Sequence, residues 1–72
     1  MQLILTVSDF GRIIKKERKR QGFTQTELAG LCGVGLTFLS NLENGKETAE
    51  IGKAFQVLTM LGIDVYAERR SS

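Results

Sequence analysis

Between Thr24 and Gly45 the chain reads TQTELAGLCGVGLTFLSNLENG, two segments of barely more than two helical turns split by Gly33. The first opens as a capping box: the Thr24 hydroxyl can accept from the Glu27 amide while the Glu27 carboxylate reaches back to the Thr24 amide. Ala29 is small enough to let two helices approach closely. Gly33 supplies a sharp turn between them, because glycine enters the left-handed region at little cost. In the second segment Leu39 and Leu42 fall on one edge. Thr37, Ser40, Asn41 and Asn44 fall on the other, as small groups able to donate or accept hydrogen bonds.

With no proline anywhere, Gly22, Gly33, Gly45 and Gly62 divide the chain into segments of helical length. The spacing predicts helices at about 9–21, 24–32, 35–44 and 48–61. Ser8 is the expected N-cap of the first, with Asp9 favourable in its first turn. Phe10, Ile13 and Ile14 share one arc of that helix, and Arg12, Lys15, Lys16 and Lys19 form a separate stripe. Glu17 interrupts the apolar arc, with Arg69 or Arg70 as candidate partners. The fourth segment aligns Ile51, Ala54, Phe55, Leu58 and Leu61 as a core face. Both ends have strand character. Residues 63–68 alternate strictly, and Leu3, Leu5 and Val7 share one side of a segment at about 2–7. Two such strands need each other, within or between chains, to cover their edges. The expected fold class is mainly α: four helices with short terminal strands, paired at a dimer interface.

The chain of 72 residues is long enough for a single domain, 1–72, that buries only about 60% of its unfolded surface. Such domains often need a staple. Cys32 is alone and there is no histidine, which excludes an internal disulfide and a zinc site and leaves dimerisation. Neither metal nor cofactor is expected. Catalysis has no support either, since the eight carboxylates are scattered and no nucleophile has a base beside it. No apolar run approaches the roughly 18 residues of a membrane span. MQLILTV lacks the basic flank and cleavage site of a signal peptide, so the expected location is the cytoplasm, with no membrane partner. Net charge is only +2. Yet six cations lie between Arg12 and Arg20, with Glu17 the one acid among them.

From about Phe10 to Leu61 the sequence resembles the Cro/repressor-type (XRE) helix-turn-helix family. The residues carrying the resemblance are Thr24-Gln25-Thr26-Glu27-Leu28-Ala29 and Leu42-Glu43-Asn44-Gly45-Lys46. The run GVGLTFLSNLENGKETAEIGKAFQVLTMLG, followed by a terminal strand, is similar to the HipB-like antitoxin repressors, whose partners are HipA-type serine/threonine kinase toxins.

The resemblance implies a DNA-binding homodimer on a palindromic operator, with the third helix in the major groove. Gln25 would contact a phosphate or a neighbouring base. Gly35 would start the recognition helix, and Leu36, Thr37, Ser40 and Asn41 would lie along its groove face. Asn44 and Lys46 would hold the DNA backbone, and Arg18 and Glu43 would form a buried ion pair. The fourth helix and terminal strands, through Leu61, Ile63, Val65 and Tyr66, would form the two-fold interface. A stand-alone phage-type or cellular regulator without a toxin partner is the alternative. The residue chemistry agrees: Asn can pair with adenine in bidentate fashion, and Thr and Ser can bond either class of base edge. Three positions depart from the family, one of them Glu17, where the family usually has a small or apolar residue. Gly35 replaces the usual Ser or Thr cap, and Leu36 offers only apolar contact, for example to a thymine methyl. The basic stripe on the first helix reads either as a solvated face or as a phosphate contact. Phe38 reads either as packing or as a phosphate-flanking contact.

Overall fold

The computed structural model describes residues 2–48 and 50–71 as four helices, α1 (Val7–Arg20), α2 (Gln25–Cys32), α3 (Leu36–Glu43) and α4 (Ile51–Leu61). Met1, Ala49 and Ser72 lie outside the described residues, so the ends of the expected domain and the second position of the expected helix 48–61 do too.

Helix α1 begins two residues earlier than a Ser8 cap would place it. Thr6 is the N-cap, its hydroxyl accepting from the Asp9 amide at 3.1 Å. Asp9 reaches back to the Leu5 amide at 3.1 Å. Both Thr6 and Ser8 can cap, but only Thr6 puts a carboxylate at the third helical position. The carboxyl of Asp9 is held below its ordinary pKa, first by the Leu5 N–H.

Helix α2 carries the full Thr24–Glu27 capping box and ends at Gly33, whose φ of 69° lets the Val34 amide close back onto the Ala29 carbonyl at 3.0 Å. This 6→1 closure recurs from Phe23 to Arg18, from Lys46 to Asn41 and from Ile63 to Leu58. Helix α4 starts at Ile51. Before it, the Thr48 hydroxyl accepts from the Glu50 amide at 3.0 Å, a local turn that competes with helix.

The core is Ile14, Leu28, Ala29, Leu39, Leu42, Ala54, Val57, Leu58 and Leu61, with Phe10, Phe23, Cys32, Val34, Phe38 and Ile63 packed around it. Helices α1 and α2 each pack against both α3 and α4. The core face of α4 is turned from the expected one: Val57 is fully buried, whereas Ile51 and Phe55 are exposed. The apolar arc of α4 is wider than the surface that α1 and α2 offer it. Burial pushes the Cys32 thiol pKa up.

Two expectations need correction. The segments at 2–7 and 63–68 form no strand among the described residues: Thr6 and Val7 belong to the start of α1, and residues 63–71 carry no regular structure. A strand exists only through its ladder with a neighbour, and within one chain these ends do not pair. Glu17 is held locally rather than by the C-terminal arginines. Its carboxylate takes Arg20 Nε at 2.9 Å and Gln21 Nε2 at 3.0 Å, and Gln21 also donates to the Leu61 carbonyl at 2.7 Å. These contacts, Arg20 first, lower the Glu17 pKa to about 2.

Candidate nucleic-acid interface

Helix α3 is docked by Leu39 and Leu42, both buried. On its opposite edge Leu36, Thr37 and Asn44 are exposed, and Ser40 and Asn41 are half-buried. The helix starts at Gly35, which has no side chain to cap it, and its first turn contains no acid. The positive end of its dipole therefore meets no neighbouring carboxylate in that turn, which suits an anion.

The N-terminus of α2 is brought to the end of α3 by a buried ionic relay. Arg18 Nε lies 2.6 Å from Glu43 Oε2, and Arg18 Nη2 lies 3.0 Å from Oε1, a bidentate fork. Arg18 Nη1 donates to the Phe23 carbonyl at 2.7 Å, fixing the α1–α2 loop. Glu43 Oε1 also accepts from Gln25 Nε2 at 3.1 Å. One carboxylate thus ties three elements together. It holds the half-buried Gln25 amide with one N–H engaged and the other still able to donate to a DNA phosphate.

Lys46 is exposed just past α3. It borders a shallow cleft with Thr37, Phe38, Asn41 and Glu50. Phe38 is half-buried at the edge of the core, and Lys53 sits over its ring, 5.7 Å from the centroid, while pairing with Glu50 at 2.9 Å. The packing of Phe38 is therefore shared with a cation.

Gly11 was not among the sequence candidates. A Cβ there would run into the backbone carbonyls of Leu42 and Glu43. Its absence lets α1 pass close across the end of α3. A lone glycine inside a helical pattern is the signal that could have revealed it.

Of the expected dimer residues, Leu61 is 4% exposed and belongs to the chain's own core, so it has little surface left for a partner. Ile63 is half-buried on that core, and Val65 and Tyr66 are exposed.

An uncapped eight-residue helix with a polar outer edge, carried across the end of a short capped helix, defines a helix-turn-helix DNA-binding domain. The helix-turn-helix family model matches residues 14–66. The chain belongs to this family, in its Cro/repressor (XRE) branch, and is a helix-turn-helix transcriptional regulator. It is 52% identical over 71 residues to the uncharacterized HTH-type transcriptional regulator y4mF of Sinorhizobium fredii, covering 93% of each chain. Among solved structures, the complex of HipB(S29A) with an O2 20mer is similar at 25% identity and a TM-score of 0.86, over 99% of both chains. The HipA-HipB-O2-O3 complex gives the same identity and TM-score over 99% of this chain and 100% of that one.

Among the described residues no group of His, Cys, Asp and Glu could hold a metal ion, and no helix is long and apolar enough to cross a membrane.

Proposed function

We propose that this regulator is a homodimeric repressor that places α3 of each protomer in successive major grooves of a palindromic operator, about 34–36 Å apart. The observation that carries this reading is the edge of α3. The side chains of Thr37, Ser40, Asn41 and Asn44 form a polar row with no hydrogen-bonded partner among the described residues, while Leu39 and Leu42 anchor the helix from behind. In this reading Leu36, Thr37, Ser40 and Asn41 meet base edges. Gln25, Asn44 and Lys46 hold phosphates, and the uncapped start of α3 at Gly35 lies close to the groove. Ile63, Val65 and Tyr66 serve the two-fold contact. Leu3, Leu5, Val65 and Tyr66 are more than half exposed, which is costly in a monomer of this size and is relieved by a second copy. Segments 2–7 and 63–68, unpaired in one chain, would acquire their ladder partners there.

The finer function is that of an antitoxin bound to a HipA-type serine/threonine kinase, repressing its own operon. Its support is the likeness over 99% of this chain to HipB, solved in complex with an O2 20mer and, in another structure, with HipA, O2 and O3.

The test is capture of the tagged protein from its source cells, with protein and DNA identified in one eluate. A kinase together with a palindromic promoter fragment is the result this reading predicts. DNA without a kinase would overturn the antitoxin role and leave a stand-alone regulator. Neither DNA nor kinase would overturn both.

A further inference from the structure

We propose that Lys15 and Lys19, on the outer edge of α1, form an additional DNA-backbone contact that extends the interface beyond α2 and α3. This rests on the reading of α3 as the groove helix.

Helix α1 lies along the end of α3 that carries Asn44 and Lys46. A Cβ on Gly45 would be 2.9 Å from Ser8 Cα, and one on Gly11 would strike the Leu42 and Glu43 carbonyls. About two turns after Gly11, Arg18 forks onto Glu43, which also holds Gln25. Ser8, Gly11 and Arg18 thus trace the line where α1 meets the proposed phosphate-holding residues. Lys15 is four residues after Gly11 and three before Arg18, so it stands beside that line on the helix surface. Ser8, Arg12, Lys15 and Lys19 follow one another at helical spacing along the same flank. The opposite flank carries Glu17, whose partner Gln21 reaches the end of α4.

The four cations of the stripe are not equivalent. Arg12 pairs with Asp9 at 3.4 Å, and Arg12 and Lys16 border a separate cleft with Gln2, Leu3 and Ile13. Lys15 and Lys19 are exposed and make no ion pair among the described residues. Like charges four residues apart on a helix repel. Lys19 gains something from the helix C-terminus, but Lys15, in mid-helix, gains nothing from the fold. A row of phosphates would convert this repulsion into attraction.

The experiment measures affinity against salt concentration for the wild type, the double variant Lys15→Gln/Lys19→Gln and the control Lys16→Gln. Two labelled duplexes of about 25 base pairs are used, long enough for two half-sites one turn apart. One is selected by the wild type from a random pool, and the other is scrambled. The double variant removes two contacts from each protomer, four per bound dimer, and should lower the slope of log K against log salt by about 3.6, at roughly 0.9 per lost phosphate contact. The loss should be equal on both duplexes, with a thermal midpoint unchanged or raised. Lys16→Gln should leave the slope in place. An unchanged slope in the double variant, or an equal loss in Lys16→Gln, overturns the proposal. Thr37→Ala and Asn41→Ala in the same assay separate the two readings: if both keep the full wild-type preference for the selected duplex, the assignment of α3 fails whatever the lysines do.

Discussion

Gln25 Nε2 lies 3.1 Å from the Glu43 carboxylate, and Arg18 grips the same carboxylate with two nitrogens. The first turn of α2 and the last turn of α3 are therefore set against each other by one buried charge. The hydrogen bonds are charge-assisted.

Removing Arg18 leaves Glu43 buried and unpaired. Arg18→Met should cost about 3–5 kcal/mol, read by urea denaturation, a large part of the total stability of a domain this small. Arg18→Met/Glu43→Leu should recover most of that loss, since an apolar pair of similar volume often replaces a buried ion pair without penalty. DNA affinity should not recover with it, because Gln25 has lost its anchor. Recovery of both would show that the relay serves the fold alone.

Gly11→Ala puts two principles in opposition. Helix propensity favours alanine by about 0.5–1 kcal/mol, but the new methyl would meet the Leu42 and Glu43 carbonyls. Backbone is harder to displace than a side chain, so the close approach wins. The variant should be destabilised by about 1–3 kcal/mol. A raised thermal midpoint would mean that α1 and α3 are not this close.

Glu17 gives a pH signature. Its pKa falls from the ordinary 4.5 to about 2 on folding, chiefly through Arg20. A depressed carboxylate contributes stability that is fully present above its unfolded pKa and is lost as pH falls toward the folded value. The wild-type thermal midpoint should therefore decline between about pH 4.5 and pH 2 more steeply than that of Glu17→Gln. Parallel curves would show that the Arg20 and Gln21 contacts do not persist in solution.

The part of the fold legible in the sequence is the part specified by neighbours a few residues apart. The Thr24–Glu27 box, the turn at Gly33 and the inward Leu39 and Leu42 are local patterns, and the helix-turn-helix follows from them. What lay hidden depends on partners distant in sequence. Gly11 matters only because α3 ends against it. Ile51 and Phe55 share a wheel arc with Ala54, but the arc is wider than the surface facing it. Leu61 satisfies its apolar surface inside its own chain, which no periodicity distinguishes from an interface. Segments 2–7 and 63–68 have the alternation of strands without a ladder partner in one chain. Glu17 erred the other way: the expected partners were remote, and the actual ones are three and four residues along the same helix. On the site itself, the polar edge of α3 was readable from spacing. The bond from Gln25 to Glu43 was not, because it joins two helices through a side-chain rotamer.

In the proposed complex α3 reads base edges through Thr37 and Asn41. The most direct test compares affinities for the selected and scrambled duplexes at one salt concentration. Wild type should prefer the selected duplex by about a thousandfold or more. Thr37→Ala and Asn41→Ala should each cut that ratio by about thirtyfold or more, the loss of one base contact in each of the two half-sites, while leaving scrambled-duplex affinity and thermal midpoint in place. A ratio unchanged in both variants would contradict the account.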